Sequence, residues 1–232
     1  WFGKGHHERG GDHYEKMARF DYDHLMKNPA IVANYAEAML DEGVALVKNM
    51  PDTNEGLQSL CELFGTVRPS FSGYTFDVFS KANPENLAYT SKRLELHTDL
   101  PPEELAPGIQ FLHCRINDAV GGDSQFVDAT AVANAFKDEY PDYFSLLTHY
   151  DIPFRYTTDH HDVRAKHRII EIDANNGEVS GINFSLHLAD TFDFPQQDMD
   201  RLYPAFRKFG QLMNDPKYLM TFRLNAGECI VF

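Results

Sequence analysis

Apolar residues recur at two different periods along the chain, and the change between them falls near Gly65. Upstream, Asn28-Pro29 reads as an N-cap and first helical residue, and Gly43 as the stop. Ile31, Tyr35 and Met39 keep the helical period between them. Val44 to Val47 is a short apolar run that reads as a buried strand. A second short helix from about Thr53 to Gly65 would place Leu57, Leu60, Cys61 and Phe64 on one face. Residues 1–20 are polar and rich in Gly and His, which reads as a loop or arm.

Downstream the apolar runs shorten to strand length and turn signals separate them. These are Ser72-Gly73, Asn83-Pro84, Pro101-Pro102, Gly121-Gly122 and Asn175-Asn176-Gly177. The last is flanked by Arg168–Asp173 and Glu178–Phe184 and predicts a hairpin. Gly108 to Cys114 reads as a strand, and Gly121 to Asp128 as a turn and strand. Asp128 caps an alanine-rich helix to Tyr140, and Pro141 opens another. Pro195 starts a longer helix to about Asn214, with Met199, Leu202, Phe206 and Phe209 roughly in period. Tyr218 to Phe232 returns to strands. No internal repeat or low-complexity segment interrupts this order. Short strands broken by helices predict an α+β fold, a β-barrel or jelly roll with helical insertions and a helical N-terminal lead-in.

Composition narrows the class. The 232 residues are 43% hydrophobic and 24% charged, which excludes a disordered, collagenous or coiled-coil chain. No apolar run of about 18 residues is present, so a transmembrane helix is not expected. A net charge of −14 argues against nucleic acid and favours a cationic or zwitterionic small molecule. Cys61, Cys114 and Cys229 are odd in number and far apart, with no disulfide or zinc spacing, which predicts a reducing cytoplasm. No signal peptide is visible. A chain that starts at Trp1 and stops within the apolar run Cys229–Phe232 is expected to be cut at both ends.

The chemistry concentrates in Leu94-Glu95-Leu96-His97-Thr98-Asp99-Leu100-Pro101. On a strand, residues two apart share a face, so His97 and Asp99 would converge. One further His would complete a facial triad with open positions on Fe(II). Taken alone, His-x-Asp is a weak signal, and a solvated polar pair near a turn fits it as well.

The surrounding phrases add what the motif lacks. Asn86-Leu87-Ala88-Tyr89-Thr90, Leu96 to Pro101, Pro107 to Cys114, Gly121-Gly122-Asp123-Ser124, Ile169 to Asp173, Thr221 to Leu224 and Gly227-Glu228 follow in order. In these the chain resembles the Fe(II)/2-oxoglutarate dioxygenases of the taurine dioxygenase superfamily, and within them the γ-butyrobetaine dioxygenase branch. The resemblance implies a double-stranded β-helix (jelly roll) over residues 21–232, truncated before its last strand, with 1–20 an arm or the remnant of an N-terminal module. It implies His97 and Asp99 as iron ligands, and a third His, with the Arg that pairs with 2-oxoglutarate, beyond Phe232. Ser124 falls where the superfamily has a hydroxyl for the 2-oxoglutarate carboxylate. His149, His160, His161, His167 and His187 are in-chain alternatives for the third ligand, none supported by a motif. His6, His7 and His13 have no partner Cys for a zinc site, and His113 is read as structural.

A quaternary ammonium has no N–H, so aromatic faces hold it. The resemblance assigns Tyr89 and Phe76 to such a cage, with Ser72 at a position that is aromatic in some relatives. Asn86 aligns with an amide for the substrate's anionic end. The second expected amide is replaced by Ser185-Leu186-His187-Leu188, so Ser185 or His187 would serve a different anion, such as a phosphonate. The implied activity is hydroxylation of an unactivated C–H in γ-butyrobetaine or an analogue such as (2-trimethylammonioethyl)phosphonate, with O2 and 2-oxoglutarate as cosubstrates. Competing readings are a non-catalytic binding or sensor module on the same fold, and a metal-storing or sugar-isomerase-like barrel. A homodimer is left open by the resemblance, and no nucleic-acid or membrane partner is expected.

Overall fold

The computed structural model describes residues 13–71, 73–79, 94–118 and 120–232. The chain divides into two compact units, one of Trp1–Phe76, Gly108–Phe126 and Met220–Phe232, the other of Asp77–Pro107 and Val127–Leu219.

The first unit is built on β10 (Glu228–Val231), whose four residues are all buried. It pairs antiparallel with β2 (Ala45–Lys48) on one side and β3 (Phe111–Cys114) on the other. β1 (Arg19–Asp21) adds in parallel to β2, giving the order β1-β2-β10-β3. Side chains alternate across this sheet as a pleat requires. Ala45, Val47, Cys229 and Val231 enter one core with Tyr35 and Met39 of α3 (Pro29–Glu42). Val44, Leu46 and Ile230 enter another with Met220 and Phe222. The latter belongs to β9 (Leu219–Phe222), which forms a two-stranded sheet with β4 (Ser124–Val127). α3 begins and ends as its sequence dictates. The Asn28 side chain accepts from the Ala30 N–H at 3.0 Å, and Gly43 at φ 71° donates its N–H to Met39 O at 3.0 Å.

Two expectations are corrected here. The described part of the expected arm is structured as α1 (His13–Lys16), followed by β1 and α2 (Tyr22–Lys27). Met17 is buried there, and the Arg19 guanidinium donates to the carbonyls of Tyr14, Glu15 and Met17. The helix expected to reach Gly65 is α4 (Asn54–Cys61), capped by Thr53. Its last residues instead form a turn that sets the Phe64 ring 5.2 Å from Tyr35 and 6.1 Å from Phe111.

The second unit packs helices on two hairpins. α5 (Ala129–Glu139) is capped by Asp128, whose carboxylate accepts from the Ala131 N–H, and α6 (Pro141–His149) opens on its proline. β5 (Asp151–Thr157) pairs along its whole length with β6 (Asp162–Arg168). β7 (Ile170–Ile172) and β8 (Val179–Ile182) form the expected hairpin, with Gly177 at φ 73° in the turn. α7 (Gln196–Met213) starts one residue after Pro195 and runs on through Pro204. Phe136, Phe154, Phe184, Phe206, Phe209 and Tyr218 are among the large side chains of this core. All three cysteines are free, and among the described residues no helix is long and apolar enough to cross a membrane.

Candidate functional site

The segment Glu95–Leu100 belongs to no strand, which corrects the strand expected for it. It bends at Leu96 and Asp99 and is fixed at Thr98 between them. The Thr98 N–H donates to Phe184 O at 2.7 Å. The Thr98 hydroxyl accepts from the Phe184 N–H at 2.9 Å and also reaches Phe184 O at 3.4 Å. With Thr98 turned to Phe184, its two neighbours converge. His97 Nε2 lies 2.9 Å from Asp99 Oδ1.

His97 is held from both ends of its ring. Its Nδ1 contacts the Glu95 carbonyl at 2.7 Å. A carbonyl only accepts, so Nδ1 carries the proton and Nε2 is the atom offered to a cation. Burial pulls the His97 pKa down, but the hydrogen bond and charge of Asp99, with the Glu95 carbonyl, outweigh it and leave a net rise. The same negative pole that retains a proton on Nε2 favours a divalent cation there. An imidazole nitrogen beside a carboxylate oxygen is a donor set that suits ferrous iron.

His187 stands edge-on to His97, ring centroids 5.1 Å apart. Its Nδ1 is 3.1 Å from the hydroxyl of Ser185, which is fully buried. Burial first, and then the charge of His97, push its pKa down to about 4, against the pull of Asp99. His187 is therefore neutral near pH 7, a hydrogen-bonding group rather than a cation. His167 reaches the Glu103 carbonyl at 2.9 Å, and His149 packs on Tyr150. Among the described residues, no three His, Cys, Asp or Glu side chains group around a common metal position.

The structure thus brings together His97, Asp99, Ser185 and His187 in the second unit. Ser124 opens β4 in the first unit, half-buried, and Phe76, in the same unit, is 50% exposed. Asn86, Tyr89 and Ser72 lie outside the described residues. A groove of about 810 Å³ runs along α7, with Leu186, Phe192, Tyr203, Phe206 and Arg207 among its walls. Among the described residues, none of the sequence-predicted site residues lines it.

Three residues that hold the site escape a reading of the sequence: Thr98, Phe184 and Gly210. The Phe184 ring packs 4.8 Å from Phe206 and 5.8 Å from Phe209. A Cβ on Gly210 would stand 2.8 Å from Phe184 Cζ, so this position of α7 has no room for a side chain. The only local signal was a glycine inside a long helix, where it costs about 1 kcal/mol relative to alanine and so calls for a packing reason.

Comparison with known proteins places the chain in a family. Residues 8–232 match the model of the taurine catabolism dioxygenase TauD, TfdA family. The chain is 38% identical over 213 residues to a γ-butyrobetaine dioxygenase of Pseudomonas sp. (strain AK-1), covering 91% of this chain and 55% of that protein. It is 31% identical over 221 residues to the human γ-butyrobetaine dioxygenase, covering 94% and 57%. The chain therefore spans somewhat over half the length of these relatives. A crystal structure of a taurine dioxygenase from Burkholderia xenovorans superimposes with a TM-score of 0.63 at 16% identity, over 88% of this chain and 72% of that one, and shares its fold. The family match, running nearly end to end, and the identity to two relatives establish that this chain belongs to the taurine catabolism dioxygenase TauD, TfdA family.

Proposed function

We propose that the protein is a 2-oxoglutarate-dependent dioxygenase that hydroxylates an unactivated C–H of a small trimethylammonium zwitterion. The observation that carries this reading is the convergence of His97 Nε2 and Asp99 Oδ1 at 2.9 Å, with the other ring nitrogen already tied to Glu95. Fe(II) bound there would supply the activation of O2 that 2-oxoglutarate decarboxylation drives. His97 and Asp99 would hold it, with a third His and the 2-oxoglutarate Arg taken from sequence after Phe232. Ser124 is assigned to the 2-oxoglutarate carboxylate. The family's jelly roll is the architecture to which we assign the described sheets.

Phe76 and Tyr89 would hold the trimethylammonium group by cation–π attraction, worth about 0.5–2 kcal/mol per ring. Asn86 and His187 would bind its anionic end, and Ser185 would orient the His187 ring through Nδ1. A neutral His187 binds an anion by donating one N–H. Such a contact suits a tetrahedral phosphonate as well as a planar carboxylate, and so favours (2-trimethylammonioethyl)phosphonate as a substrate beside γ-butyrobetaine. The protein's own part is placement: it orients the target C–H and excludes water.

The test supplies Fe(II), 2-oxoglutarate and O2 with both substrates in competition, and reads succinate and hydroxylated product by mass spectrometry. Substrate-dependent succinate with matching hydroxylated product supports the reading. Neither product from either substrate overturns it, and the product ratio assigns the substrate.

A further inference from the structure

We propose that Thr98 is a positioning residue whose hydroxyl sets the approach of His97 to Asp99, and that Phe184 and Gly210 transmit that setting from α7. The inference rests on the reading of His97 and Asp99 as metal ligands. Glu95–Leu100 carries the site's two donors yet has no strand ladder, and Leu100, next to Asp99, sits at φ 55°. A leucine in the left-handed region costs about 1–2 kcal/mol and persists only where its surroundings over-determine it. Thr98 supplies that determination with three contacts to one residue, Phe184, on both its N–H and its carbonyl.

Phe184 is a firm anchor because its ring fills the space that Gly210 leaves on α7 and lies against Phe206 and Phe209. The chain of contact runs from Gly210 to the Phe184 ring, through the Phe184 backbone, to the Thr98 hydroxyl. Donor pairs bind a metal only within a narrow range of separation, and groups that orient them typically govern about 10–100-fold in metal affinity. A threonine that merely satisfied its own hydroxyl would leave that affinity unchanged.

Mn(II) binding to the metal-free protein, read by electron paramagnetic resonance, tests this without turnover. Wild type and His97→Ala are compared first, since equal Mn(II) binding by the two would overturn the ligand reading itself. Given a wild type that binds, Thr98→Val should weaken Mn(II) by about 10–100-fold, and Thr98→Ser should stay within about threefold of wild type. Gly210→Ala, which displaces the Phe184 ring without touching the motif, should weaken binding in the same direction. Thr98→Ala replaces Thr98→Val if the valine variant does not fold. Wild-type Mn(II) affinity in folded Thr98→Val or Thr98→Ala overturns the inference, as does equal weakening by Thr98→Ser.

Discussion

β10 and the segment Glu95–Leu100 are similar in length and held in opposite ways. Each β10 residue is buried, and the strand is bonded along both edges, with Cys229 opposite Val47 on one side and His113 on the other. The site segment has no ladder. One residue, Thr98, fastens it to Phe184, and the next turn closes with the Glu103 N–H donating to Leu100 O at 3.0 Å. Redundant bonding makes β10 a source of stability that no single contact controls. The site segment buries Leu96 in the second unit's core, but its backbone is tied to Phe184 at Thr98, so its geometry depends on what holds Phe184. A region can therefore carry the function while its geometry is set elsewhere in the chain.

That contrast is broken most severely at His97. His97→Ala should abolish succinate formation while shifting the melting temperature by less than about 4 °C, the equivalent of about 1 kcal/mol at this size. Turnover at the wild-type rate would remove His97 from the site, and collapse of the fold would show that the segment supports more than its donors. The opposite change is Ile230→Ala, in the middle of β10. Ile230 is fully buried and packs in the core of Leu46, Met220 and Phe222. Its truncation should cost about 2–5 kcal/mol, read as a lowered urea midpoint. A cost below about 1 kcal/mol would mean that β10 is not the keystone its pairing implies.

The same contrast explains what could be read from the sequence. Elements whose signals are local were legible: Asn28-Pro29 to Gly43, Asp128 before Ala129, Pro141, and the Asn-Gly turn between β7 and β8. β1 was not, because its strand character comes from pairing with β2 and from an arginine that binds carbonyls behind it. The β5–β6 hairpin gave no signal, since its turn, Thr158 to His161, contains neither glycine nor proline. Asp162 opens β6, and its carboxylate accepts from both Arg155 and Arg164, which hold its pKa far below the usual range. At the site, spacing revealed the His97–Asp99 pair but not its support. Thr98 and Phe184 are 86 residues apart, and no local pattern links them.

The smallest predicted effect sharpens the comparison from the β10 side. His113 lies on β3 opposite Cys229, and its Nε2 is buried with no hydrogen-bond partner among the described residues. Burial lowers its pKa, the positive charge of Arg115 lowers it further, and Asp52, which Arg115 itself pairs with, opposes them. A histidine whose folded pKa lies below its unfolded value of about 6.5 stabilises the fold fully above that value. The contribution is lost as pH falls through 6.5 toward the folded pKa, because the unfolded chain then binds the proton more readily. The metal-free protein should therefore lose stability between pH 7.5 and 5, and His113→Phe should lose less over the same interval. The chain carries other histidines, so the difference between the two proteins is the quantity to measure. We expect a difference of at most a few degrees in melting temperature, the scale of about 1 kcal/mol at this size. Identical pH dependence in the two proteins would mean that the ladder between β3 and β10 tolerates a protonated ring, and that its redundancy reaches even to a buried charge.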